Sequence, residues 1–276
     1  MQQLSGRIRL EKKSIGLVPT MGFLHKGHLS LIKKSKKKCD FTVVSIFVNP
    51  TQFAPNEDFN KYPRNLEHDK KLLLENKVDA LFLPSEREIY PRNFQTYVEV
   101  IQISKTLEGK FRPAHFKGVT TIVSILLNCV KPDFAFFGQK DAQQAAIIQQ
   151  MVIDLKLDVN IIISPIVREK DGLAMSSRNS YLSEEERKDA VALCRSLSYA
   201  KKIIGKGERN SKKVILEMKK IIDGVSTSSL DYIDIVETGS FKQSGKLEPG
   251  IVYYILIACR IGTTRLIDNI KIKIAP

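Results

Sequence analysis

Over the first two-thirds of the chain, short apolar runs rich in β-branched residues alternate with longer segments of helical periodicity, and few folds satisfy that alternation. The strand-like runs are Ile15 to Val18, Phe41 to Val48, Ala80 to Leu83, Phe134 to Phe137 and Ile161 to Val167. The helical segments are His28 to Cys39, with Leu29, Leu31 and Ile32; Asn65 to Asn76, with Leu66 and Leu72 to Leu74; Gly118 to Val130, stopped by Pro132; and Ala142 to Leu155. The run FTVVSIFV reads as a strand buried on both faces. Strands separated by helices imply one parallel sheet covered on both faces. Ligands of such sheets bind at the carboxyl ends of the strands, so chemistry is expected in the loops after Val18, Val48, Phe137 and Val167.

The last third has another rhythm. Ser183 followed by Glu186 is a capping box that opens a long helix towards Gly205, and a second helix spans about Ser211 to Asp223. Three strand-like segments follow: Asp231 to Val236, Val252 to Ile261 and Arg265 to Ile272. Helices followed by strands predict a small α+β domain. The boundary is expected between Pro165 and Arg178, dividing the chain into residues 1–168 and 169–276.

Composition narrows the classes. At roughly 150 residues per domain, 276 residues make one large or two modest domains. Apolar runs such as Ile251 to Cys259 are too short to span a bilayer, and MQQLSGRIRLEKKS lacks the apolar stretch of a signal peptide. Cys39, Cys129, Cys194 and Cys259 form no CxxC pair, which argues against a zinc site and fits reduced cytosolic thiols. A cytoplasmic protein with no membrane partner is therefore expected. The net charge of +14 admits a nucleic-acid partner, an anionic substrate such as ATP, or a lysine-decorated surface. The last weighs most, because the excess sits in runs such as Lys33-Lys34-Ser35-Lys36-Lys37-Lys38 on an expected exposed helix face.

The expected loops hold the unusual polar residues. After the first strand comes PTMGFLHKGH, in which His25 and His28 stand three apart at the start of a helix, with Gly27 between them. The helix dipole and amides point at this spot, glycine admits close approach of a ligand, and histidine can donate to phosphate oxygens. The plainer alternative is that the histidines only cap the helix. Asn49-Pro50-Thr51-Gln52-Phe53 offers neutral donors and acceptors; Gly138-Gln139-Lys140-Asp141 places a lysine at a strand–helix junction; Met175-Ser176-Ser177-Arg178 clusters hydroxyls with a guanidinium. Asp141 and Ser183 also read as simple helix caps.

Taken in order, PTMGFLHKGH, FVNPTQF, FFGQKDAQQ and GLAMSSRNSYLS, with Arg112-Pro113-Ala114-His115, resemble the signature blocks of the pantothenate synthetase (pantoate–β-alanine ligase) family over nearly the whole chain. The HxGH and basic–serine loops also resemble those of the wider nucleotidyltransferase and class I aminoacyl-tRNA synthetase superfamily. The resemblance implies a Rossmann-like doubly wound parallel sheet with a smaller C-terminal α+β domain. It implies ATP-dependent condensation of (R)-pantoate with β-alanine through a pantoyl adenylate, and a homodimer without a nucleic-acid partner.

By the same resemblance, Met21, Gly22, Phe23, Leu24, His25, Lys26, Gly27 and His28 bind ATP, with His25 on the phosphates and His28 as proton donor. Gly138, Gln139, Lys140 and Asp141 hold the nucleotide, Lys140 on phosphate, and Val167, Met175, Ser176, Ser177 and Arg178 complete that set. Gln52, Gln144 and Asn49 serve pantoate or β-alanine, with Arg112 and His115 near the substrate. Some relatives carry adjacent acidic residues where this chain has His68-Asp69. A protein ligand for Mg2+ is thereby reduced to Asp69, leaving the ion mainly on ATP phosphates and water. The segment from Phe53 to Asp58 is a candidate cover for the adenylate. Two rivals are a nucleotidyltransferase that needs no amine, and a basic RNA-binding module, for which there is neither an anticodon domain nor an RNP-like motif.

Overall fold

The computed structural model describes residues 1–55 and 57–275. In chain order its first elements are α1 (Gln2–Leu10), β1 (Ile15–Thr20), α2 (Lys26–Lys38), β2 (Phe41–Ile46), α3 (Leu66–Glu75), β3 (Ala80–Phe82), and the single turns α4 (Glu86–Ile89) and α5 (Glu108–Phe111). Then come α6 (His115–Val130), β4 (Phe134–Gly138), α7 (Ala142–Asp154) and β5 (Asn160–Ser164). The last are α8 (Glu184–Gly205), α9 (Ser211–Asp223), β6 (Ser228–Glu237), β7 (Val252–Ile261) and β8 (Thr264–Lys273).

The first five strands form one all-parallel sheet in the order β3-β2-β1-β4-β5. β1 shows why both faces must be covered. Ile15 and Leu17 pack on one side with Ile8 of α1, Phe116 to Val130 of α6, and Ile147, Ile148 and Met151 of α7. Val18 packs on the other with Leu31 and Ile32 of α2 and Leu73 of α3. The period of two along the strand thus serves two separate apolar clusters, as a doubly wound sheet demands.

The remaining strands form an antiparallel sheet, β6-β7-β8. Its core combines Leu193 and Leu197 of α8 and Val214, Met218 and Ile222 of α9 with Ile255, Ile257 and Leu266 of the sheet. The chain divides into two compact units, 1–139 with 147–165, and 140–146 with 166–276. Residues 140–146, which the division at 168/169 leaves with the larger sheet, thus group with the second unit. Within that unit Asn269 Nδ2 donates to the Lys140 carbonyl at 2.9 Å.

Three differences from the sequence reading have physical causes. The strand expected to reach Val167 ends at Ser164, because Pro165 lacks the N–H that would extend the ladder. α6 begins at His115, before the apolar run starts. α1 carries no strong pattern, since only Met1, Leu4 and Ile8 of its residues and N-cap join the core cluster, amid glutamines and arginines.

Gly16 has a packing reason. A Cβ there would run into Ser35 Oγ of α2 and lie 2.9 Å from Cys39 Sγ and 3.2 Å from the Phe136 ring. Gly16→Ala is expected to destabilise the protein by about 1–3 kcal/mol through overpacking. Urea unfolding checks this, and an unchanged midpoint would contradict the close approach of α2 to β1.

Candidate active site

The loop from β1 to α2 is held from below. Thr20 Oγ1 donates to the Ser45 carbonyl at 2.8 Å and accepts from Gly22 N at 3.2 Å, so the turn starts anchored to β2. Gly22 and Phe23 both adopt positive φ, at 81° and 48°. For phenylalanine that backbone is strained, and something must hold it. Asp69, near the start of α3, does so: its two carboxylate oxygens accept from Phe23 N at 2.8 Å and from Leu24 N at 2.7 Å.

The two histidines follow. His25 is the N-cap of α2, its Nδ1 accepting from Gly27 N at 3.1 Å, while His28 Nδ1 accepts from His25 N at 3.3 Å. Their rings stack with centroids 4.0 Å apart. An Nδ1 that accepts a backbone N–H leaves the proton of the neutral ring on Nε2. Capping and chemistry therefore fall on opposite ring edges, and the helix-cap reading is compatible with a donor role.

The turn after β2 is equally constrained. Asn49 Nδ2 donates to the Gly118 carbonyl of α6 at 3.1 Å and to Gln52 Oε1 at 3.2 Å. Asn49 Oδ1 accepts from Tyr90 Oη at 2.8 Å and Thr51 Oγ1 at 3.0 Å. Gln52 Nε2 lies 2.9 Å from Met21 Sδ, which joins this turn to the histidine loop. The Gln52 backbone carbonyl accepts from His115 Nδ1 at 2.9 Å and from Arg112 Nη2 at 3.3 Å. Arg112 also forms a two-pronged pair with Glu57, at 2.6 and 2.7 Å. Arg112 and His115 therefore brace the backbone of Gln52. Tyr90, Glu57 and Gly118 are not legible in the sequence as parts of this network, because no local pattern links residues so far apart. Tyr90 and Gly118 stand 41 and 69 positions from Asn49, and Glu57 stands 55 from Arg112.

The second unit holds its own polar cluster. Arg168 and Ala174 form a short antiparallel bridge, and Met175 N donates to the Val167 carbonyl at 3.0 Å. Arg168 pairs with the buried Asp268 at 2.7 and 2.9 Å and donates to the Asn269 carbonyl at 3.2 Å. Ser176 caps the 3-10 turn Ser177–Tyr181, its Oγ accepting from Arg178 N at 3.3 Å. Lys140 Nζ stands 3.7 Å from Asp141 Oδ1, in the turn Gln139–Asp141. Gln144 lies in the first half of α7. Gly138 closes β4 in the first unit.

Asp69 does not fit the expected magnesium role. It is 1% exposed, and both of its oxygens hold loop amides. Among the described residues no cluster of three or more His, Cys, Asp or Glu side chains could hold a metal ion. The expected cover from Phe53 to Asp58 includes Asn56, which lies outside the described residues.

Electrostatics around Gln52 follow from burial. Burial, reinforced by the Arg112 guanidinium, lowers His115 from 6.5 to about 4, so the ring is neutral at pH 7. Arginine can only donate and a carbonyl can only accept, so His115 carries its proton on Nδ1 and accepts from Arg112 Nη1 at 3.2 Å on Nε2. Desolvation pushes Glu57 upward, but the Arg112 hydrogen bonds and charge outweigh it and hold the carboxyl below its ordinary range. A histidine depressed in the folded state loses stability as pH falls from its unfolded value of 6.5 towards its folded value of about 4, because the unfolded chain takes the proton first. Replacing His115 by Gln should remove a pH-dependent component on the order of 2–3 kcal/mol across that window. Urea unfolding of both proteins between pH 7 and 4.5 measures it. A stability difference independent of pH would refute it.

With this geometry established, relatives identify the chain. The family model described as Pantoate-beta-alanine ligase matches residues 1–271. A pantothenate synthetase from Caldicellulosiruptor saccharolyticus is 52% identical over 274 residues, covering 99% of this chain and 97% of the relative. One from Thermosipho africanus is 52% identical over 272 residues, with coverage of 99% and 97%. Among solved structures, the pantothenate synthetase of Thermus thermophilus matches with a TM-score of 0.91 at 40% identity, covering 99% of this chain and 98% of that one. The pantoate–β-alanine ligase of Francisella tularensis, crystallised with beta-gamma ATP and β-alanine, matches with a TM-score of 0.77 at 37% identity, covering 97% and 94%. Sequence blocks, sheet order and full-length similarity agree, and the chain belongs to the pantoate–β-alanine ligase family.

Proposed function

We propose that the chain joins (R)-pantoate to β-alanine through a pantoyl adenylate, with the histidine loop stabilising the phosphates and Gln52 holding pantoate. ATP-dependent pantothenate formation is the activity of the family to which it belongs. In the first step a pantoate carboxylate oxygen bonds to the α-phosphorus of ATP while the bond to diphosphate breaks. In the second the β-alanine amine attacks the acyl carbon, a C–N bond forms, AMP departs, and the amine gives up a proton. Such steps need positioning and charge neutralisation more than covalent help.

The carrying observation is the paired commitment of His25 and His28 Nδ1 to backbone amides, which makes Nε2 the donor atom of each neutral ring. His25 contacts phosphate and His28 supplies the proton. Met21 to Leu24, Lys26 and Gly27 form the rest of that loop, at the N-terminus of the thirteen-residue helix α2, whose dipole favours anions. Gly138, Gln139 and Asp141 hold the nucleotide, with Lys140 on phosphate. Val167, Met175, Ser176, Ser177 and Arg178 complete the nucleotide site, with donors from the two hydroxyls and the guanidinium. Gln144, with Gln52, binds pantoate through neutral dipoles, and Asn49, Arg112 and His115 support Gln52. Mg2+ accompanies ATP, held by phosphate and water oxygens, since Asp69 is committed to the loop.

The resemblance also supports a homodimer, which sedimentation at micromolar concentration tests. Among the described residues no helix is long and apolar enough to cross a membrane, and a cytoplasmic location suits the free thiols.

AMP release from ATP and Mg2+, with pantoate and β-alanine together and each omitted in turn, tests the whole reading. AMP should form in quantity only when both are present, with pantothenate beside it. Tight ATP binding with no AMP from any combination would move the assignment to a nucleotidyltransferase. His28→Ala and Lys140→Ala should each slow pantoate-dependent exchange between ATP and diphosphate by roughly 10²-fold, as for loss of one preorganised donor. Near-normal exchange in either variant would remove that residue from its role in the first step.

A further inference from the structure

We propose that Tyr90 is a positioning residue which, with the Gly118 carbonyl, fixes the amide of Gln52 so that it offers substrate its NH2 face; this rests on Gln52 as a pantoate ligand. The inference starts from Asn49, which is 1% exposed and uses all its hydrogen-bonding capacity inside the protein. An amide side chain can be turned either way unless a neighbour has only one polarity. The Gly118 carbonyl is such a neighbour: it can only accept, so the Asn49 atom 3.1 Å away must be Nδ2. The second Nδ2 hydrogen then goes to Gln52, which makes the Gln52 atom at 3.2 Å its oxygen. Gln52 is left with Nε2 on the side of Met21 Sδ, a weak acceptor that competes poorly with a carboxylate or hydroxyl oxygen.

Gly118 can take this part because it has no side chain. A Cβ on it would lie 2.5 Å from the Thr51 carbonyl oxygen and 2.7 Å from Gln52 N. Tyr90 completes the lock at the other end of Asn49. Its hydroxyl is 2.8 Å from Asn49 Oδ1 and 3.0 Å from Thr51 Oγ1, and its ring is set edge-on against Phe94 at 5.0 Å. The ring secures the position, and the hydroxyl, by donating to Asn49 Oδ1, steadies the amide that the Gly118 carbonyl orients. A substrate held here must present acceptors, as the oxygens of the pantoate carboxylate and hydroxyls do, and an ammonium group in that place would be rejected.

Tyr90→Phe keeps the ring and removes the hydroxyl. It should raise the KM for pantoate about 3- to 10-fold, the effect of one weakened neutral hydrogen bond, and leave the KM for ATP and for β-alanine within about 2-fold. In a Gln52→Ala background the same change should have no further effect on pantoate KM, because the group it steadies is gone. If Gln52→Ala raises pantoate KM and Tyr90→Phe does not, the positioning role is overturned while Gln52 keeps its assignment. If Tyr90→Phe raises all three constants together with a lowered urea midpoint, Tyr90 is merely structural and the inference also falls. If Gln52→Ala leaves pantoate KM unchanged, the assignment of Gln52 fails and takes this inference with it.

Discussion

The burial of β1 at the centre of the first sheet is the constraint on which the rest of this unit depends. It has β2 on one side and β4 on the other, so the chain winds outward through β2 and β3 and then returns to build β4 and β5. Loops leaving β1 and β4 therefore part to opposite sides, and a doubly wound sheet opens its ligand crevice at that reversal. The strand can occupy that place because Ile15, Leu17 and Val18 are inaccessible to solvent and Gly16 lets α2 come close. Its start is tied down as well: Ile15 N donates to the Asp133 carboxylate at 2.7 Å, and Asp133 N returns a bond to the Ile15 carbonyl at 2.9 Å. A rigid strand delivers the PTMGFLHKGH loop to a fixed point, and Asp69 then holds that loop in a conformation that Phe23 disfavours.

What the scaffold mainly fixes is polarity. Backbone carbonyls, backbone amides and arginine each have one hydrogen-bonding sense, and four of the titratable or reversible side chains at the site are set against one of them. His25 and His28 are set by amides, His115 by a carbonyl and a guanidinium, and Asn49 by the Gly118 carbonyl. Placed among hydroxyls alone, the same groups could turn or change tautomer at little cost. Donor and acceptor patterns are therefore preorganised before any ligand arrives, which is where electrostatic stabilisation obtains its strength.

The fold class, nearly all the long elements and the loops after β1, β2 and β4 were legible because each leaves a local trace: an apolar run, a helical period, a capping box. α1 escaped because its core stripe is thin, and the end of β5 was overrun because Ile166 and Val167 continue its apolar character past Pro165. At the candidate site, motif residues could be named from the sequence, but their connections could not. Tyr90 follows the Ser85–Glu88 capping box, a signal for a helical turn and not for a site, and only the folded chain brings its hydroxyl to Asn49. Asp69 shows the opposite failure. Its expected role with a cation rests on the adjacent acidic residues that some relatives carry at that place, yet here it meets the backbone amides of the histidine loop, which attract a carboxylate for the same electrostatic reason.

The placement of charge suits the ligase chemistry. Around Gln52 the Arg112 and Glu57 charges cancel in a two-pronged pair, and His115 is neutral, so the turn is braced without net charge. Pantoate is to act as a nucleophile through its carboxylate. A cation paired tightly with that carboxylate would stabilise the ground state and lower its reactivity, which gains affinity at the expense of rate. A neutral amide donor orients the anion with a weaker hold. The phosphates have the opposite need, because negative charge must be neutralised there as diphosphate leaves. In the proposed assignment the cations Lys140 and Arg178 and the α2 N-terminus serve the phosphates, and amides serve the acid. One nucleophile and one electrophile, both anionic, are then handled by different physics.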